Sequence, residues 1–167
     1  MHNDTHITVD APSTALDQSD AHAERHSLLG FLTAQRNVVL AIVEGLDHEQ
    51  LHTSVTPSRW TPDSMLRHLA DAEAYWCQHV LSGTQQASNP THSAAEVYRE
   101  QIRESDSILA KLGLDDLPLG TAEPAHAQLA QSARTVVLHL IEETARHAGH
   151  LDIARELIDG TCGLGPR

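Results

Sequence analysis

The chain is expected to fold as an all-α domain, a four-helix bundle. Three features predict it. Four stretches carry apolar residues at helical spacing, residues that start or stop helices bound them, and no stretch alternates like a strand. A length of 167 residues suits one domain with a core large enough to fold without disulfides. The facing helices of such a bundle offer an interior where a metal or small ligand can sit.

Residues 1–19 are polar and aperiodic and read as a flexible N-terminal tail. From Asp20 the pattern turns helical. In HSLLGFLTAQRNVVLAIVEGL, residues Leu28, Leu29, Leu32, Val39, Ile42 and Val43 recur about three and four apart, and Gly45 is placed to end the helix. The second helix opens in RWTPDSMLRHLADAEAYWCQHVLSG. Thr61 is its N-cap, Pro62 suits the first helical position, Asp63 favours the positive end of the dipole, and Gly83 closes the segment. Trp60 precedes the cap and is positioned as a hydrophobic staple. After the polar loop TQQASNPT, Ser93 and Glu96 form the capping box of a third helix that extends to about Lys111. GLDDLPLGTAEPAH is rich in Gly, Pro and Asp and reads as a long connection. The last helix begins within AQLAQSARTVV and runs to Asp159, with Gly160 as terminator. The bundle is thus expected over 20–160, with 161–167 as a C-terminal tail.

Composition narrows the function. With 23 acidic against 11 basic residues the formal charge is -12, which repels phosphate backbones and anionic lipid and argues against nucleic-acid and membrane partners. Cys77 and Cys162 are too few for a disulfide framework, and the N-terminus has no apolar signal region. No uninterrupted apolar run approaches the ~20 residues that span a bilayer. A cytoplasmic location is expected.

The chemistry concentrates in HLIEETARHAGHLDIAREL. His139, Glu143, His147 and His150 lie along one stripe of the last helix. Helical residues four apart sit about 40° apart around the axis, with Cβ atoms about 5–6 Å apart. Any two adjacent rungs could therefore share a divalent ion with bonds of about 2.0–2.2 Å. A third ligand must come from elsewhere, and His68 is the best candidate, expected to point inward on the face of Met65, Ala72, Tyr75 and Trp76. His79, eleven residues beyond His68, is roughly 16 Å along the axis and too far for the same ion. Cys77 lies about 180° around a regular helix from His68, which excludes a Cys–His nucleophilic pair.

Other readings stand beside the metal. An inward histidine is commonly a hydrogen-bonded core residue, and Glu143–His147 could be an ordinary exposed pair, as Glu142–Arg146 is expected to be. His22 and His26, also four apart, read as a solvated face. Tyr75 and Trp76 are two of only five aromatic residues, so they are either core or the wall of a substrate pocket. Arg67, Arg134 and Arg146 are the cations available for a substrate carboxylate.

WTPDSMLRHLADAEAYW, followed much later by HLIEETARHAGHLDIARELIDG, resembles the DinB-like superfamily. The match is closest to a branch of uncharacterised bacterial domains ending in ETARHAGHxDILRE, and more distant to the N-terminal domain of mycothiol-dependent maleylpyruvate isomerase. It covers about residues 24–160, with the C-terminal motif the specific part. The resemblance implies a four-helix bundle of unusual connectivity with a three-residue metal site, here His68, Glu143 and His147. Glu143 replaces the commoner histidine, as in isomerase-like members, giving two imidazoles and one carboxylate. His150, where many members have Gln, is a fourth ligand or a partner of a ligand. The implied ion is zinc first, with nickel, iron and manganese also suited to N/O donors. The implied activity is transfer or isomerisation assisted by a low-molecular-weight thiol, mycothiol or bacillithiol, acting on a small electrophile. No catalytic side chain beyond the metal set is identifiable. Alternatives are a hydrolase that activates water, or a non-catalytic metal-binding module, with a homodimer compatible with either.

Overall fold

A computed structural model describes residues 14–85 and 92–162. Four long helices carry the fold: α1 (Thr14–Val43), α3 (Pro62–Glu73, continued by π-helical turns over Ala74–Leu81), α4 (Ala94–Leu109) and α5 (Ala133–Asp159). Two short helices that the sequence pattern did not reveal lie in the connections: α2 (His48–Leu51) and a 3-10 helix, Pro124–Leu129. No strand occurs among the described residues.

Local chemistry sets most of the boundaries. Thr61 Oγ1 accepts the Ser64 amide, Ser93 Oγ the Glu96 amide and Ser132 Oγ the Thr135 amide, each within a reciprocal capping box. Gly45, Gly83 and Gly160 follow helix ends at φ of 79°, 66° and 78°, a region that costs a side chain energy. The expected N-terminal tail lies outside the described residues up to residue 13, yet α1 begins at Thr14, six residues before Asp20. Ala15, Leu16 and Gln18 are good helix formers, so an existing helix extends through them without apolar periodicity. Residues 86–91 of the polar loop and 163–167 of the expected C-terminal tail also lie outside the described residues. The third helix stops at Leu109 rather than Lys111, and its last carbonyls close a turn through Ala110 and Lys111.

The helices run in two parallel pairs. Near its start, α5 places Arg134 against Glu24 of α1, and near its end Arg155 donates to the Ile42 and Glu44 carbonyls, both at 2.7 Å. Thus α1 and α5 point the same way. α3 and α4 also run together, because Met65–Ala70 pack with Ala94 and Tyr98, while Trp76–Leu81 pack with Leu109. The second pair is antiparallel to the first: His68 faces His147, and Trp76 faces His139.

Two apolar clusters form the core. One gathers Val39, Ile42, Val43, Leu66, Leu69, Tyr98 and Leu151, and the other Leu32, Trp76, Val80, Leu81, Val136 and Leu140. Between them lies a polar layer of Arg36, Glu73, Gln101, Ser105 and Thr144, all buried. Arg36 binds both carboxylate oxygens of Glu73 at 2.6 Å and Asp106 at 2.7 Å.

By length and composition alone, Asp20–Val43 within α1 is long and apolar enough to cross a membrane, with a mean hydropathy of 1.2. A search for uninterrupted apolar runs missed it, because polar residues are scattered through this segment. In the bundle, Leu32, Val39, Ile42 and Val43 face the core, and Arg36 is neutralised inside it.

Candidate metal centre

His68 and the Glu143–His147 pair meet across the α3–α5 seam. His68 Nε2 lies 3.1 Å from Glu143 Oε1 and 3.2 Å from His147 Nε2, and His147 Nε2 lies 3.0 Å from the same Glu143 oxygen. The three side chains form the one group of three potential ligands among the described residues. Antiparallel packing produces the meeting, since it sets one turn of α3 beside two rungs of α5.

His68 departs from its inward expectation. The buried face of α3 is Met65, Leu66, Leu69, Ala70 and Glu73, and His68 flanks it with its side chain 51% exposed. Glu143 and His147 retain 16% and 15%. The triangle is therefore seated on the protein at α5 and open to solvent on the His68 side.

The donor set suits a metal. Four ligands arranged tetrahedrally with bonds of about 2.0–2.1 Å stand roughly 3.3 Å from one another. The observed edges of 3.0, 3.1 and 3.2 Å approximate one face of such a tetrahedron. Two imidazoles and one carboxylate each bring one lone-pair-bearing atom to this triangle.

Electrostatics disfavour a charged His147 and favour a charged Glu143. Burial pushes the His147 pKa below the ordinary imidazole value, which outweighs the upward pull of Glu143. Burial would raise Glu143, but the hydrogen bond from His68 and the charge of His147 hold it below the usual carboxylate range.

The remaining rungs behave differently from one another. His150 turns Nδ1 toward His147 Nδ1, 3.2 Å away, on the side of the ring opposite the Nε2 that joins the triangle. Its ring packs 6.0 Å from Trp60, which is itself packed against the first apolar cluster. His139 lies one turn from Glu143 in the other direction and packs edge-on against Trp76 at 4.9 Å. Burial lowers its pKa, against the opposing influence of Glu143 and Glu142.

Trp76 is buried, contacting His139 and also His126 of the 3-10 helix at 5.7 Å. Tyr75 is half-buried, stacks on His79 at 5.6 Å, and accepts the Glu123 amide through its hydroxyl at 2.9 Å. The pair thus anchors the 3-10 segment against α3. His126 was not legible as part of this cluster, because an irregular connection carries no periodicity to say which side chains return to the bundle.

His79 stands with Tyr75 and outside the triangle. Cys77 is buried beside Glu73, and burial pushes its thiol up to about 12. The π-helical turns void the regular-helix angle used to separate Cys77 from His68, but the two remain apart because one faces the core and the other solvent. Arg67 is paired with Asp63 at 2.9 Å, Arg146 with Glu142, and Arg134 with Glu24 and Asp115. His22 and His26 line an open groove on α1, where Arg25 is committed to the Leu109 and Leu112 carbonyls.

The family model described as Mycothiol-S-transferase matches the chain over residues 27–97 and 86–160. Neither curated proteins nor solved structures yield a match.

Proposed function

The chain belongs to the mycothiol-S-transferase family, a DinB-like family, and from that premise we propose that it transfers a low-molecular-weight thiol to a small electrophile at a metal held by His68, Glu143 and His147. The observation that carries this reading is the triangle with edges of 3.0–3.2 Å. A divalent ion bound there, zinc in the first instance, would act as a Lewis acid that lowers the pKa of a coordinating thiol toward neutrality.

The protein's own side chains define the rest. His68 and His147 contribute neutral nitrogens, and Glu143 contributes one negative charge, so a divalent ion would keep a net charge near +1. The exposed edge of His68 leaves an approach for a cosubstrate. A closed structural site would need a fourth protein ligand, whereas the nearest rung, His150, has its Nδ1 on His147 Nδ1. Arg67 and Arg146 flank the seam but are paired with carboxylates, which favours a thiol and electrophile without strong negative charge. Cys77 takes no part as nucleophile, being buried and protonated. The nucleophile is supplied by the cosubstrate, with mycothiol the first candidate.

The test combines metal analysis of wild type and His68→Ala with thiol consumption over a panel of electrophiles. Stoichiometric metal in wild type, its loss in the variant and turnover only with added thiol are expected. Turnover that proceeds without thiol would replace this reading with a water-activating hydrolase. Metal content unaltered by His68→Ala would overturn the site itself.

A further inference from the structure

We infer that His150 is a positioning residue for the metal centre: its Nδ1 accepts a hydrogen bond from His147 Nδ1–H and so holds His147 in the tautomer and orientation that direct Nε2 to the ion. The inference rests on the three-ligand reading above and goes beyond it, since His150 touches neither the ion nor a substrate.

The two nitrogens of the His147 ring have different roles. His147 Nε2 lies 3.2 Å from His68 Nε2 and 3.0 Å from Glu143 Oε1, and in the three-ligand site this nitrogen offers its lone pair to the metal. A neutral imidazole that ligates through one nitrogen carries its proton on the other. His147 Nδ1 is therefore a donor in the loaded site, and the atom 3.2 Å from it is His150 Nδ1. That nitrogen must accept, which places the proton of His150 on Nε2. A ligating histidine is ordinarily oriented by such an acceptor, commonly a carboxylate or backbone carbonyl, and loss of the acceptor costs about 10–100-fold in metal affinity. His147 Nδ1 meets His150 Nδ1 rather than an α5 carbonyl.

The acceptor is itself held in place. His150 packs at 6.0 Å against Trp60, the residue immediately before the Thr61 cap of α3. The segment that begins α3, and so delivers His68, also braces the ring behind His147. A neutral acceptor has a further consequence for the centre. It orients His147 without adding negative charge, so Glu143 remains the only anionic group in the set.

Two variants separate hydrogen bonding from packing. His150→Phe keeps a ring against Trp60 but removes the acceptor, and His150→Gln offers an amide oxygen at similar reach. Zinc affinity measured by chelator competition should fall about 10–100-fold in His150→Phe and stay within a few-fold of wild type in His150→Gln. At saturating cobalt, the visible absorption intensity of His150→Phe should match wild type, because the ligand count is unchanged. Wild-type affinity in His150→Phe, or equal losses in both variants, would overturn the inference while leaving the three-ligand site standing. A changed cobalt spectrum in His150→Phe would overturn it in favour of His150 as a ligand. Wild-type protein that binds no zinc would overturn the site, and this inference with it.

Discussion

At the scale of single residues, the proposed metal centre requires two neutral imidazoles and one charged carboxylate. Burial depresses His147, so acid must go further below the ordinary imidazole range before it protonates this nitrogen. Burial would raise Glu143, but a hydrogen bond from His68 and the positive charge of His147 when it is protonated hold it below the usual carboxylate range. It therefore stays ionised as acid protonates the imidazoles. Metal binding requires deprotonated ligands, so affinity should be level above neutrality and fall as pH drops through the imidazole range. Chelator competition from pH 9 to 5 measures this, and an affinity already declining between pH 9 and 8 would contradict it. The spacing of HLIEETARHAGH made Glu143, His147 and a partner on the second helix legible. Spacing alone could not choose among the rungs, because a ladder of residues three and four apart repeats the same local geometry. The family resemblance pointed to Glu143 and His147 with His68, and in the fold these three side chains lie within 3.2 Å of one another. The exposure of His68 was also illegible, since a short window does not say which flank of an amphipathic face lies at the seam.

At the scale of elements, caps were readable because they are local: Thr61, Ser93 and Gly160 each act within a few residues. The π-helical turns of α3 were not, since a shift of one residue in hydrogen-bond register leaves no compositional mark. Tertiary contacts surround them. Glu73 is clasped by Arg36 at the entry, and at the exit the Leu119 and Gly120 amides donate to the Leu81 and Val80 carbonyls at 3.1 and 2.9 Å. Gly120 is required there because a Cβ would lie 1.9 Å from the His79 carbonyl oxygen. Gly120→Ala should destabilise the protein by about 1–3 kcal/mol or more, the usual cost of overpacking. Gly149→Ala, in mid-helix with open space around it, should stabilise by about 0.5–1 kcal/mol. Urea titrations of both variants decide the matter, and a neutral Gly120→Ala would show that the connection yields freely.

Across the whole molecule, the polar layer divides the core and ties α1 to α3 and α4. Arg36 is 2% exposed and its partner Glu73 equally buried. Arg36→Met should cost about 3–5 kcal/mol, because it leaves Glu73 charged and unpaired in the interior, whereas Arg36→Met with Glu73→Leu should recover most of that loss. If the double variant proved as unstable as the single one, the layer would contribute more than mutual neutralisation. Arg36 falls between Leu32 and Val39, and helical periodicity says nothing of its partner 37 residues away.

The amino-acid sequence by itself determined the four long helices, most of their caps and the family, and it named the residue types of the proposed centre. These are encoded in spacings of a few residues, where helical geometry is known in advance. Tertiary structure decided the two parallel pairs, the open face at His68, the turn of His150 toward His147 and the return of His126 to Trp76. Each of these follows from which helix flank meets which, and that is set by the packing of side chains distant along the chain.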